Sequence, residues 1–150
     1  MEITEKAIAS IRQHASDAYP EECCGVLVGH FGNESQVLEA ISADNRSDAH
    51  RERRYTIEAE TLFRITRDAE ADGLDVVGFY HSHPDHPARP SQTDLDEATF
   101  PSYVYVIQSV RNREPAELTA WTLAPDRSEF NEQPIRTAII VNEIEQRENR

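Results

Sequence analysis

Leu74-Asp75-Val76-Val77-Gly78-Phe79-Tyr80-His81-Ser82-His83-Pro84, followed after a proline-rich stretch by Ser91-Gln92-Thr93-Asp94, decides how this chain is read. Residues 74–81 form a strongly apolar run that predicts a buried strand. The strand delivers His81 and His83 at its C-terminal end, and residues one apart on a strand face the same side. Residues 84–90 contain three prolines and predict a stiff loop. Ser91 to Thr99 reads as a short helix, with Ser91 as N-cap and Asp94 three residues on, the spacing of a capping box. Two neutral imidazoles and one carboxylate are the ligand types of a catalytic zinc, which keeps its fourth position for water. Positions 81–94 thus encode a nearly complete open metal site, and an enzyme is the leading reading.

Outward from that block, helices interleave with strands. Residues 4–19 read as a helix capped by Thr4, with Ala7, Ile8, Ile11, Ala15 and Ala18 as its apolar stripe and Tyr19-Pro20 as its end. Cys23 to Phe31 (CCGVLVGHF) reads as a buried strand, Gly32-Asn33 as a turn, and Gln36 to Ala43 as the returning strand. Residues 44–54 are polar and read as a loop, and Arg54 to Glu58 as a short extended piece. A helix is predicted from Ala59 to Asp72, with Leu62, Ile65 and Ala69 on one face and Gly73 as its stop. Two further strands are expected at 103–110 and 117–123 and a last one within 134–141, and the charged tail from Asn142 reads as frayed. The pattern predicts an α/β or α+β sandwich around a mixed sheet, with residues 1–150 as a single domain.

The bulk properties narrow the function. A chain of 150 residues, 38% hydrophobic and 29% charged, fits one domain with a real core. No apolar run is long enough to span a bilayer, and the acidic start Met1-Glu2-Ile3-Thr4-Glu5 does not read as a signal peptide. A formal net charge of −13 repels nucleic acid, so no DNA or RNA partner is expected, and no membrane partner either. Cys23 and Cys24 are the only two cysteines, and neighbours in sequence pair poorly. Without a disulfide framework, a reducing cytoplasm is the expected location.

Hydrolysis at such a site needs a base for the water proton and a donor for the developing oxyanion. Ser91 lies about one helical turn from Asp94 and supplies a donor. The base must be a carboxylate from elsewhere. Glu21 and Glu22, directly before the CCGVLVG strand, stand at a sheet end where a site can form.

Glu22, His81-Ser82-His83, Ser91 and Asp94 together resemble the motif of the JAMM, or MPN-plus, zinc metallopeptidases: a distal Glu, then His-Ser/Thr-His, seven residues, Ser, two residues, Asp. Tyr19-Pro20-Glu21-Glu22-Cys23-Cys24-Gly25-Val26-Leu27-Val28-Gly29 resembles the family's first strand, and Glu22 is favoured over Glu21 because it fits the family's Glu-x-Cys-Gly pattern. The resemblance runs from about residue 3 to about 124. It implies a cytidine-deaminase-like JAMM/MPN sandwich, with a partly open mixed β-sheet flanked by helices. It implies one Zn²⁺ per chain on His81, His83 and Asp94, Glu22 as general base and then acid, Ser91 as oxyanion stabiliser, and Ser82 as backbone support. The implied reaction cuts the amide bond after the C-terminal Gly-Gly of a ubiquitin-like or sulfur-carrier protein, as compact prokaryotic members do. The oligomeric state stays open, a homodimer among the options.

Other readings compete. His81-Ser82-His83-Pro84-Asp85-His86 also spells HxHxDH, a metallo-β-lactamase signature, but no histidine follows His86 to complete that site. A zinc deaminase would need a later Pro-Cys-x-x-Cys that is absent. A non-catalytic MPN scaffold and a general small-peptide zinc peptidase are the alternatives within the fold. His14, His30 and His50 are expected to have no role, and Cys23 and Cys24 to pack rather than react. Arg51, Arg53 and Arg54 form the only basic cluster, an exposed loop or a dock for an acidic partner.

Overall fold

The computed structural model describes residues 1–138. Eleven elements follow in chain order: β1 (Glu2–Thr4), α1 (Glu5–Ala18), β2 (Cys24–His30), β3 (Gln36–Ala43), α2 (Ala59–Ala71), β4 (Asp75–Pro84), α3 (Gln92–Glu97), β5 (Val104–Arg111), β6 (Glu114–Leu123), β7 (Phe130–Gln133) and β8 (Arg136–Ala138). The strands form one mixed sheet in the order β7-β6-β5-β4-β2-β3-β1-β8. Pairing is parallel for β4 with β5 and for β1 with both β3 and β8, and antiparallel elsewhere.

Alternation along the central strands, shifted once in β4 by an irregularity opposite Leu27 and Val28, splits the core in two. Leu27, Val77, Tyr80 and Val106 pack with Ala7, Ile11 and Ala15 of α1. Val26, Val28, Phe79 and Tyr105 pack with Ile65 and Ala69 of α2. Each helix thus buries the stripe that its 3.6-residue period sets. Full burial of one such aliphatic side chain stabilises by about 1.5–3 kcal/mol. Thr4 caps α1, its Oγ1 accepting from Ala7 N (3.1 Å) and donating to Leu38 O (2.8 Å). Helix α2 ends in a Schellman pattern: Gly73 has φ +72°, with Leu74 N donating to Ala69 O (2.9 Å) and Gly73 N to Glu70 O (3.0 Å). Gly25 serves a different need, since a Cβ there would collide with the Tyr80 ring and with Ile41 O.

Several sequence expectations need correction. β1 is a strand of three residues preceding the first helix, too short to show alternation. β7 is a further strand beyond those expected; it is mostly polar and, among the described residues, lies at the sheet edge and pairs with β6 alone. The helix expected over 91–99 spans only Gln92–Glu97, since Ala98 is already extended (φ −71°, ψ 128°). The last strand begins at Arg136, and the tail from Asn142 lies outside the described residues. Among the described residues no helix is long and apolar enough to cross a membrane.

Candidate metal centre

Strand β4 outruns its neighbour β2. Cys24, the first residue of β2, pairs with His81, so the chain before β2 passes beside the last turns of β4. Ser82 fastens this junction: Cys23 N donates to Ser82 Oγ (2.7 Å) and Ser82 N to Cys23 O (3.1 Å). Phe79, His81 and His83 share one face by strand alternation, on the α2 side of the sheet. Glu22 is brought to that same corner.

The proline loop bends the chain back toward this face. His83 Nδ1 lies 2.8 Å from Pro87 O, and a carbonyl only accepts, so Nδ1 carries a hydrogen and Nε2 is the atom turned toward His81 and Asp94. The buried Ala88 is tied to β6 by Thr119 Oγ1, which donates to Ala88 O (2.6 Å). Helix α3 starts with a reciprocal capping box: Asp94 N donates to Ser91 Oγ (3.0 Å), and Ser91 N donates to Asp94 Oδ2 (2.8 Å). The cap fixes the direction of the Asp94 carboxylate.

Three atoms converge as a result. His81 Nε2 and His83 Nε2 are 3.1 Å apart, and Asp94 Oδ2 lies 3.2 Å from the first and 3.0 Å from the second. A tetrahedral ion with bonds of about 2.0–2.1 Å has ligand-to-ligand edges of about 3.3 Å, so this triangle fits one face of such a centre. Glu22 stands next to it, and Glu22, His81 and His83 each offer a ligating atom within 4.8 Å of the others. Glu22 is only 3% exposed, and its Oε2 and the Nδ1 of His81 are buried without a hydrogen-bond partner. Imidazole nitrogens and carboxylate oxygens gathered at one largely buried corner are the donor types that a divalent cation takes.

Electrostatics separate the two carboxyls. Burial pushes Glu22 up to about 9, aided by the charges of Asp94 and Glu97. Burial also acts to raise Asp94, but the facing His81, hydrogen bonds from both imidazoles and the Ser91 N–H hold it well below the usual carboxylate range. Glu21, by contrast, is exposed. Burial likewise raises the Cys23 thiol to about 11 and Cys24 to about 12, far from a thiolate nucleophile. Asp85 is used elsewhere, accepting from Asn112 N (3.0 Å) and from the Tyr19 hydroxyl, and His86 is exposed. The HxHxDH spelling therefore does not gather into one site. His14 bonds the Tyr80 hydroxyl on the α1 side (2.7 Å), and His30 and His50 are exposed.

Sequence reasoning missed the other wall. The Tyr55 ring stacks on His81, centroids 4.7 Å apart and planes 24° from parallel. The only local sign was a lone aromatic after a polar loop. Tyr55 also lines a groove of about 310 Å³ that includes Ile57, Leu62, Phe79, Phe100 and Tyr105. Glu97 stands at this groove and pairs with Arg54 (Nε to Oε1, 3.1 Å). Arg51 and Arg53 stay on the exposed loop.

Comparison with known proteins places the chain in a family. The profile of the prokaryotic homologs of the JAB domain matches residues 4–124. The desampylase of Haloferax volcanii is 34% identical over 118 residues, covering 79% of this chain and 82% of that protein. The CysO-cysteine peptidase of Mycobacterium tuberculosis is 34% identical over 113 residues, 73% of each chain. A solution structure of a Salinibacter ruber protein is 51% identical, superposes with a TM-score of 0.73 and covers 92% of both chains. With its motif, its fold and these relatives in agreement, the chain belongs to the prokaryotic JAB-domain family and is a hydrolase of the JAMM (MPN-plus) type.

Proposed function

We propose that this protein is a zinc-dependent isopeptidase that cuts the amide bond after the C-terminal Gly-Gly of a ubiquitin-like or sulfur-carrier protein in the cytoplasm. The observation that carries the reading is the triangle of His81 Nε2, His83 Nε2 and Asp94 Oδ2, with sides of 3.0–3.2 Å beside the buried Glu22. The relatives named desampylase and CysO-cysteine peptidase support the substrate class.

His81, His83 and Asp94 would hold one zinc per chain. When bound, it would polarise the scissile carbonyl and acidify a water to a pKa of about 7. Glu22 takes the water proton and passes it to the leaving amine. Its burial beside the imidazoles keeps this carboxyl out of bulk water, so that it can hold the proton between the two transfers. Ser91 Oγ accepts from Asp94 N, which leaves its own hydrogen free to donate to the tetrahedral oxyanion. The groove from Tyr55 to Tyr105 is apolar and open, and takes the extended carrier tail leading to the scissile bond.

The test pairs metal analysis with product mass. Purified protein is loaded with zinc and incubated with a carrier whose Gly-Gly terminus bears an added residue or an isopeptide-linked lysine. The expected outcome is one zinc per chain and a product ending at Gly-Gly, both abolished by chelator. Zinc-loaded protein that leaves every such conjugate intact refutes the proposal.

A further inference from the structure

We infer that Asn45 is a positioning residue for the reaction, an assignment that rests on the role of Glu22 proposed above. Asn45 lies two residues beyond β3 and is half-buried. Its amide uses its whole bonding capacity. Nδ2 donates to Glu22 O (3.2 Å) and Arg54 O (2.9 Å), while Oδ1 accepts from Ser47 N (3.1 Å) and Thr56 N (3.2 Å). A side-chain amide has two N–H donors and two acceptor lone pairs, so all four are taken.

The four partners define what this side chain does. Arg54 and Thr56 flank Tyr55, the ring stacked on His81. Glu22 is the base, and its own N–H donates to Arg51 O (2.7 Å) in the same segment. Both main-chain polar groups of Glu22 are thereby tied to residues 45–51. One amide sets the backbone carrying Glu22 and the backbone carrying Tyr55 at once, and so fixes the spacing between the base and the covered face of His81. Residues 44–58 contain no helix or strand that would hold this spacing. The segment's ion pairs, Arg46 with Asp44 (3.5 Å) and Glu58 (3.9 Å), His50 with Glu52 (3.8 Å) and Arg54 with Glu97 (3.1 Å), join exposed side chains and are weak. A backbone bond from Arg46 N to Thr56 O (2.9 Å) closes the segment on itself, and the satisfied Asn45 amide is the side chain that joins it to both Glu22 and the backbone beside Tyr55.

Asn45→Asp tests this directly. It keeps the shape and both acceptor bonds, loses both donor bonds, and sets a carboxylate oxygen against two carbonyls. Small displacements of a catalytic group reduce turnover by up to about 100-fold. Zinc-loaded Asn45→Asp is expected to lose about 10- to 100-fold in kcat with KM within about twofold of the parent and full zinc content. In the metal-free protein, the nuclear Overhauser contact between Tyr55 and His81 ring protons should weaken. Asn45→Ala lacks the added repulsion and should show the same pattern if Asn45→Asp does not fold. Parental kcat with the ring contact intact overturns the inference. So does a loss confined to KM, which marks substrate binding alone, or a loss of zinc, which marks a role toward the ligands. If the parent enzyme cleaves no carrier, the proposed function fails, and the ring contact by itself decides whether Asn45 sets this geometry.

Discussion

Glu22→Gln separates the energetic burden of a buried carboxyl from its chemical use. In the metal-free protein Glu22 sits 3% exposed and is pushed from 4.5 to about 9, first by burial and then by Asp94 and Glu97. Between those two values the folded chain keeps a proton that the unfolded chain releases. Its contribution to stability is therefore fully present below about pH 4.5 and is lost as pH rises toward about 9. At pH 7 the loss is at most about 3.4 kcal/mol, taking about 1.36 kcal/mol per pH unit from the unfolded value upward. Glutamine has no proton to lose. Metal-free Glu22→Gln should therefore melt about 5–12 °C above the parent at pH 7 and close to it near pH 4.5. The zinc-loaded variant should keep one zinc per chain yet lose about 10²–10⁴ in kcat. Thermal melts in chelator across pH 4.5–8.5, beside single-turnover assays, measure both effects. Melting differences that do not change with pH would refute the burial account, and near-parental turnover would refute the role as base.

His81→Ala and Asp94→Ala should each abolish stoichiometric zinc, and metal analysis that finds one zinc per chain in both would exclude that ligand set. Ser91→Ala removes a helix N-cap and an oxyanion donor together. It should lower stability by about 1 kcal/mol and kcat by about 10²-fold with KM little changed, as melting and steady-state kinetics would show. Asp85→Ala severs bonds to Asn112 N and the Tyr19 hydroxyl, so it should lower the melting temperature slightly while zinc content and kcat stay at parental levels. Loss of zinc in that variant would revive the HxHxDH reading.

The corner where His81, His83 and Asp94 meet was legible in the sequence because it is local. β4, the proline loop and the start of α3 together span only residues 75–97, and the alternation of His81 and His83 and the Ser91/Asp94 cap follow from rules of short range. Glu22 needed more, since the sequence places Glu21 and Glu22 side by side, and only packing shows one buried and the other in solvent. Asn45 and Tyr55 escaped notice for a physical reason. Segment 44–58 has no hydrophobic period, and its role arises from hydrogen bonds to backbone groups up to 23 residues away. β1 depends on non-local partners in the same way, pairing with β3 and β8 across the sheet.

The capping box at α3 has a kinetic consequence. Asp94 Oδ2 both accepts the Ser91 N–H and faces the two imidazoles, so the carboxylate cannot swing away without uncapping its helix. Departure of an ion held there is thereby coupled to fraying of a six-residue helix. Metal exchange should be gated by that opening rather than by ligand basicity alone, making the centre slow to empty even where its equilibrium affinity is modest.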